Sequence, residues 1–476
     1  MSDHHRVCLN GINALTGEYL VAPMTVAEAA RRARGAPAPA DQAGLLKQKA
    51  QQFAFAPFAL PAEVDDPNDL TQVGWAVVFT PNTPAAVKKA LKPLLDRRAA
   101  QAKDLYKVLE YRPGESREDW LGRYGAHGSD VEPEKVPFFL LLVGDPTEIP
   151  FELQCLLDID YAVGRLAFDA PADYGTYAKA VAEYETAKAV PTAREVVYWG
   201  TRHDLDAATE MSADGLITPL SAPGPKPTDP ALAAKYKFAS RCLLAGDATK
   251  ANLLDVLHPG KKKAPALVFT ASHGMGGWPK GDKRERPANG ALLCQDWPGF
   301  GTCKPAHYLS AAEVEADARL SGVVAFLFAC YGAGTPRYDA YLRDPAGGPL
   351  EIAQAPFVSA LGQRLLAGGA LAVVGHVERA WGYSLADVKA GPQIQPFRNL
   401  IIRLLRGERV GQMTLDFSQR YATYSADLLN MLDPGRPGAG QPADADLVGR
   451  WVERNDAQNY VILGDPAVRL RIDDMK

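Results

Sequence analysis

The chain has 476 residues, 47% of them apolar, enough to bury a sizeable core and to favour more than one structural unit. Charged residues make up 23% and the formal net charge is −4, which leaves no basic footprint for nucleic acid or an anionic membrane. The longest apolar run, LSGVVAFLFAC from Leu320, is too short to span a bilayer. The N-terminal MSDHHRVCLNG has no apolar stretch of the signal-sequence kind, so a cytoplasmic location is expected. Six cysteines in so long a chain then read as reduced thiols rather than a disulfide framework.

Residues 1–130 carry the least pattern and form an N-terminal region whose role the sequence leaves open. VAEAARRARG from Val26 reads as an Ala-rich helix, ARGAPAPADQ as a Pro/Ala connection, and WAVVF from Trp75 as a strand. A long helix is expected from Pro84 through AAVKKALKPLLDRRAAQAKDLYKVLE, interrupted or bent at Pro93. Polar, Gly-containing sequence from Tyr111 to Lys135 looks like a connection.

Beyond it the pattern repeats. FFLLLVGD, VVYWG, ALVFTASHG, VVAFLFACYG and GALAVVGH are short β-rich apolar runs, each ending in Gly, Asp, His or Cys. Helical stretches such as YGTYAKAVAEYETAK, TKANLLDVL and FVSALGQRLLAGG lie between several of them. Continuous apolar strands alternating with helices predict an α/β fold, a mostly parallel sheet flanked by helices. We expect two subdomains, residues 131–190 and 191–476, joined near Pro191. In such sheets chemistry sits at the carboxyl ends of the strands, where these polar residues fall.

Two strand ends stand out. Cys330 closes FLFAC and precedes a glycine turn; alone it could be a small core residue, as most free cysteines are. His273, in LVFTASHGMGG, could equally cap its strand by ordinary hydrogen bonding. Together they change the reading, because a thiol needs a neighbouring base or positive charge to populate its thiolate, and adjacent strand tips would supply one. Caspases carry Gln-Ala-Cys-Arg/Gln-Gly with a histidine about 50 residues upstream. This chain keeps Ala329, Cys330 and Gly332 at nearly that spacing, and departs at Phe328 and Tyr331.

The two junctions resemble those of the clan that holds caspases, legumains, separases and gingipains. Two further segments narrow the resemblance to the gingipain-like C25 cysteine peptidases, and so to a caspase-like sandwich. FFLLLVGDPTEIPFELQCLLDIDYAVGRLAFD resembles that family's first subdomain, with a strand ending in Gly-Asp and a Gly-Arg strand at Gly164 and Arg165. NYVILGDPAVRL resembles the Gly-Asp-Pro segment that closes its peptidase domain. The resemblance covers Pro133 to Leu470 and does not reach the first 130 residues.

It implies a cysteine endopeptidase with Cys330 as nucleophile and His273 as the group that protonates the leaving amine. The backbone N–H groups of Cys330 and Gly274 would face the oxyanion, and a glycine at 274 leaves the carbonyl room to approach. Trp381 and Glu378, just beyond the strand ending at His376, would wall the pocket for the residue before the cut. Asp158 and Asp160 would supply that pocket with an acid and select Arg or Lys, unless they only cap turns. Asp214, Glu148, Glu152 and Glu378 are candidates to orient His273, with no motif to choose among them. The basic loop WPKGDKRERPANG invites self-cleavage at 280–286 or an activating partner, though a solvated surface loop is the plainer reading. No cofactor is expected. Cys294, Cys303 and His307 lack a zinc-knuckle spacing and an obvious fourth ligand, and GMGG and YGAGTP lack the Gly-Lys-Ser/Thr of a phosphate loop. The alternative function is a catalytically silent peptide-binding or signalling module on the same fold.

Overall fold

The computed structural model describes residues 6–35, 40–53, 60–127, 130–224, 226, 229–315, 318–387, 391–433, 435 and 441–475. Residues 36–39 of the Pro/Ala connection lie outside them. Ten strands form one sheet: β1 (Trp75–Phe79), β2 (Tyr106–Glu110), β3 (Phe139–Val143), β4 (Ala162–Leu166), β5 (Thr192–Gly200), β6 (Ala239–Leu244), β7 (Ala264–Ala271), β8 (Val324–Phe328), β9 (Ala372–His376) and β10 (Tyr460–Gly464). Their order is β2-β1-β3-β4-β10-β9-β8-β7-β5-β6. Every neighbouring pair is parallel except β9 with β10, so two parallel halves meet back to back there. This is the expected mostly parallel α/β sandwich in two parts.

Side chains alternate across each strand, and helices bury both faces. On one face Phe397, from the helix Gln395–Leu405, packs edge-on against Phe269, Phe326, Phe328 and Tyr460. On the other, Gly362 of the helix Ala360–Ala367 lies so close to β10 that a Cβ there would sit 2.6 Å from Leu463 Cδ1. The central strands β7, β8 and β9 are buried along their whole length. That burial is why they read as unbroken apolar runs.

The long helix expected from Pro84 is instead two helices and a strand. Ala85–Ala90 and Lys92–Ala102 break at Leu91, just before Pro93, and Lys103 turns the chain with φ of 51°. YKVLE then becomes β2, because Tyr106 stacks on Trp75 at 5.7 Å and the whole segment pairs with β1. The connection expected over 111–135 contains the helix Arg117–Arg123, started by Ser116, whose hydroxyl accepts from Asp119 N–H. The sheet thus runs without interruption through the region placed before residue 130. Asp465 ties it shut: Trp75 Nε1 donates to it at 2.9 Å and Arg98 Nε at 2.6 Å, all fully buried. Arg165 is likewise structural, bonded to Gln154 and to the carbonyls of Gly144 and Ile149.

Candidate active site

Register brings the polar residues together. Ala271 of β7 lies opposite both Phe328 of β8 and Gly200 of β5, and Leu327 lies opposite Gly375 of β9. Two steps past Ala271 and Phe328 come His273 and Cys330, on neighbouring strand tips at the same height. The backbone after β9 closes the far side, where Tyr331 N–H donates to Glu378 O at 2.9 Å. Gly274 packs directly on the cysteine: a Cβ there would fall 1.8 Å from Cys330 O, so only glycine fits.

The third member comes from the loop after β5. Asp206 Oδ2 meets His273 Nε2 at 2.6 Å and accepts from Thr209 Oγ1 at 2.8 Å, while Oδ1 accepts from Tyr19 O–H. His273 and Asp206 are both buried. Burial alone would raise the Asp206 carboxyl, but its interaction with His273 and the hydrogen bonds from His273, Tyr19 and Thr209 hold it below its ordinary value. Asp206 is not among the sequence candidates, although TRHDLDAATE follows the apolar run VVYWG in the same way that SHG follows ALVFTA. That shared signal could have found it.

The segment 6–14 covers the cluster. Gly11 N–H donates to His273 Nδ1 at 2.8 Å, leaving Nε2 as the protonated nitrogen that faces Asp206. Cys330 Sγ lies against Asn10 O. Cys330 is fully buried, and burial pushes its thiol well above the ordinary range, with Arg379 pulling the other way.

The other sequence candidates separate into those beside this cluster and those tied up elsewhere. Trp381 is buried in an aromatic group with Tyr341 at 4.8 Å and Trp451 at 5.2 Å, shared with Val7 and Leu9 of the covering segment. Glu378 is buried beside Cys330, its carboxylate accepting from the backbone of Ala340 and Arg379. His376 points away, Nε2 to Asp456 O at 3.1 Å. Asp158 and Asp160 are not brought to the cysteine. Asp158 caps the next strand, accepting from Val163 N–H and Ser418 O–H, and Asp160 is bracketed by Lys49 at 2.7 Å and by Arg117. Asp160 is thus paired with two cations, whereas the partners of Asp158 are neutral donors. Asp214 faces Arg202 on the surface, Glu152 accepts from Gln42 and Glu148 from Thr80, so none of these three orients His273.

Beside Tyr331 a cavity of about 400 Å³ is lined by Asn13, Trp278, Lys280, Asp339, Ile352 and Arg379 among others. The basic loop forms its rim, with Lys280 paired to Glu351, Arg284 to Asp282 and Arg286 to Asp169. Cys294 donates to Leu292 O and Cys303 packs near Trp297; among the described residues no cluster of His, Cys, Asp or Glu is placed to hold a metal. No helix among them is long and apolar enough to cross a membrane.

No family model matches the sequence, and no curated protein matches it. Among solved structures the chain is similar to one described as "Structure of Protease", with a TM-score of 0.48 and 13% identity over 84% of this chain and 80% of that one. It is also similar to the complex of Porphyromonas gingivalis RgpB pro- and mature domains, with a TM-score of 0.46 and 11% identity over the same shares. A third likeness is to the Saccharomyces cerevisiae separase–securin complex, with a TM-score of 0.31 and 14% identity over 69% of this chain and 16% of that one.

Proposed function

We propose that this chain is a cysteine endopeptidase. Cys330 is the nucleophile, His273 carries the proton, and Asp206 is the positioning residue that holds the imidazole. The observation that supports it is the setting of His273. One ring nitrogen is on a buried carboxylate, the other accepts a backbone amide, and the thiol stands on the next strand tip. A carboxylate on Nε2 fixes the tautomer and offsets the imidazolium that forms when the thiol proton is taken up. In this reading the N–H groups of Cys330 and Gly274 stabilise the oxyanion, and the aromatic group around Trp381 walls the acyl side of the substrate.

Preference for Arg or Lys before the cut is not part of this reading, because Asp158 and Asp160 are already engaged. A reducing, cytoplasmic setting is, and six cysteines in so long a chain, too sparse for a disulfide framework, support it. The silent-module alternative draws on one observation, the burial of Cys330 beneath the segment 6–14. We assign that burial to latency.

Hydrolysis of a diverse peptide library and labelling by peptidyl electrophiles test the proposal. Cys330→Ala should abolish both, and His273→Ala should keep the fold while losing roughly 10²–10⁴-fold in turnover. Undiminished hydrolysis by Cys330→Ala would remove the thiol from the mechanism. A wild-type chain that is inert in both assays would return the silent module.

A further inference from the structure

Residues 6–14 make the contacts of a peptide seated for cleavage, beyond those of a simple cover. Asn10 places its carbonyl oxygen against Cys330 Sγ. The next backbone group, Gly11 N–H, donates to His273 Nδ1 at 2.8 Å. One peptide bond, Asn10–Gly11, therefore has its carbonyl at the thiol and its nitrogen at the imidazole. The oxygen of that bond faces the thiol and its nitrogen the imidazole, and the carbon that a thiol peptidase must attack is bonded to both.

Both sides of that bond are held as a substrate would be. On the acyl side Asn10 N–H donates to Ala380 O at 2.9 Å, and Leu9 and Val7 enter the aromatic group with Trp381. On the leaving side Ile12 and Asn13 run parallel to Met275 and Gly276, with Ile12 N–H on Gly274 O at 3.3 Å and Ala14 N–H on Gly276 O at 2.9 Å. Main-chain pairing of this kind is how an extended peptide is bound at a strand edge.

The Asn10 side chain is fully buried. Its Nδ2 donates to Ser272 O at 3.5 Å, and its Oδ1 is buried without a hydrogen-bond partner, close enough to Gly382 that a Cβ there would lie 3.2 Å away. The pocket offers a carbonyl acceptor. An amide N–H satisfies it, whereas an ionised carboxylate of the same shape brings only acceptors and an unpaired charge.

We propose that the chain cuts itself between Asn10 and Gly11, and that the pocket around Asn10 selects asparagine before the cut. The proposal rests on the endopeptidase reading above and adds to it the first substrate and the specificity. Cys330 Sγ bonds to the Asn10 carbonyl carbon. As the C–N bond breaks, the thiol proton passes through His273 Nδ1 to the Gly11 nitrogen, which leaves as a free amine. Water then adds to the thioester, one of its protons returns to the sulfur, and residues 1–10 leave with Asn10 as their carboxyl terminus. One water is consumed and nothing is oxidised. Loss of residues 1–10 removes Asn10 from the thiol and opens the acyl-side pocket to other chains.

The test uses the full chain at neutral pH with a thiol reductant, followed by intact mass and N-terminal sequencing over time at several protein concentrations. A species beginning at Gly11 should accumulate with a first-order rate independent of concentration, since bond and thiol share one chain. Cys330→Ala should stay whole. Asn10→Gln should slow the cut roughly 10–200-fold, the range for one added methylene in a fitted pocket. Asn10→Asp and Asn10→Arg should stop it, with circular dichroism confirming that each variant is folded. The processed wild type should also release coumarin from Val-Cys-Leu-Asn-coumarin faster than from the Gln, Asp or Arg peptides.

An intact N-terminus in a preparation that hydrolyses other peptides would overturn self-cleavage and leave the endopeptidase reading standing. The same holds for a cut confined to residues 280–286. An intact N-terminus with no hydrolysis of any peptide would overturn both. Cleavage at Asn10 in Cys330→Ala would overturn the proposal by tracing the cut to another protease or to asparagine cyclisation.

Discussion

One methyl group should lift the segment that covers Cys330. Gly11 has φ of +131°, and a Cβ there would lie 3.1 Å from Cys330 Sγ and 2.9 Å from Leu20 Cδ1. Holding alanine in such a backbone region costs roughly 1–3 kcal/mol. Leu20 can turn aside because its contacting atom ends a flexible side chain. Cys330 Sγ is buried against Asn10 and Ala380 and has less freedom, which adds about 1 kcal/mol of overpacking. The released segment relaxes to other φ values, so the penalty of about 2–4 kcal/mol falls almost wholly on the seated state. At about 1.4 kcal/mol per factor of ten, the opening constant of Gly11→Ala rises roughly 30- to 700-fold. Native-state alkylation by iodoacetamide, read from the mass of the peptide that contains Cys330, reports that constant directly. Both arms should be made in His273→Ala, which by the proposed mechanism loses self-cleavage. Equal alkylation rates with and without the methyl group would refute the argument that seating at Gly11 is what hides the thiol.

Asp206→Asn should lower kcat by roughly 10²–10⁴-fold with little change in KM, and Asp206→Glu should recover part of it; an unchanged kcat would show that the carboxylate does not position His273. Burial raises Asp456 from its ordinary 3.8 to about 7. Between pH 4 and 7 the folded chain therefore holds a proton that the unfolded chain has lost, and this contribution to stability falls as pH rises. Asp456→Asn should accordingly gain about 1–3 kcal/mol in urea unfolding at pH 8 and little at pH 4, and an equal gain at both would contradict the buried-acid reading. Arg98→Met leaves Asp465 and Glu185 without their shared cation and should cost about 3–5 kcal/mol by the same measurement. A loss below about 1 kcal/mol would mean that residues before 130 are not part of the sheet's core.

Much of this protein is legible in its residue pattern. The α/β class follows from apolar runs too continuous to face water on either side, and β7, β8 and β9 are buried along their length. Cys330 and His273 stand out because each ends such a run with a reactive group, and strand ends are where a parallel sheet presents side chains to a cleft. The same rule applied to VVYWG leads to Asp206, which sits a few residues further into its loop. YKVLE reads as helix in the sequence because a short segment of mixed polarity after a helical stretch has no period of its own. Its strand character comes from pairing with β1 and stacking on Trp75, contacts made across the fold.

Sequence alone determined which side chains could carry chemistry and which segments had to be buried, since both are properties of residue type and local spacing. Tertiary structure alone decided which of those side chains meet. Asp158 and Asp160 look like a free acidic pair until Ser418 arrives from elsewhere to bond the first and Lys49 and Arg117 to pair with the second. The segment around Asn10 looks like an unremarkable terminus until register and pairing lay it across Cys330 and His273. Partners hundreds of residues apart leave no mark in local composition, because the hydrogen bonds and charges that join them exist only once the sheet has set their distance.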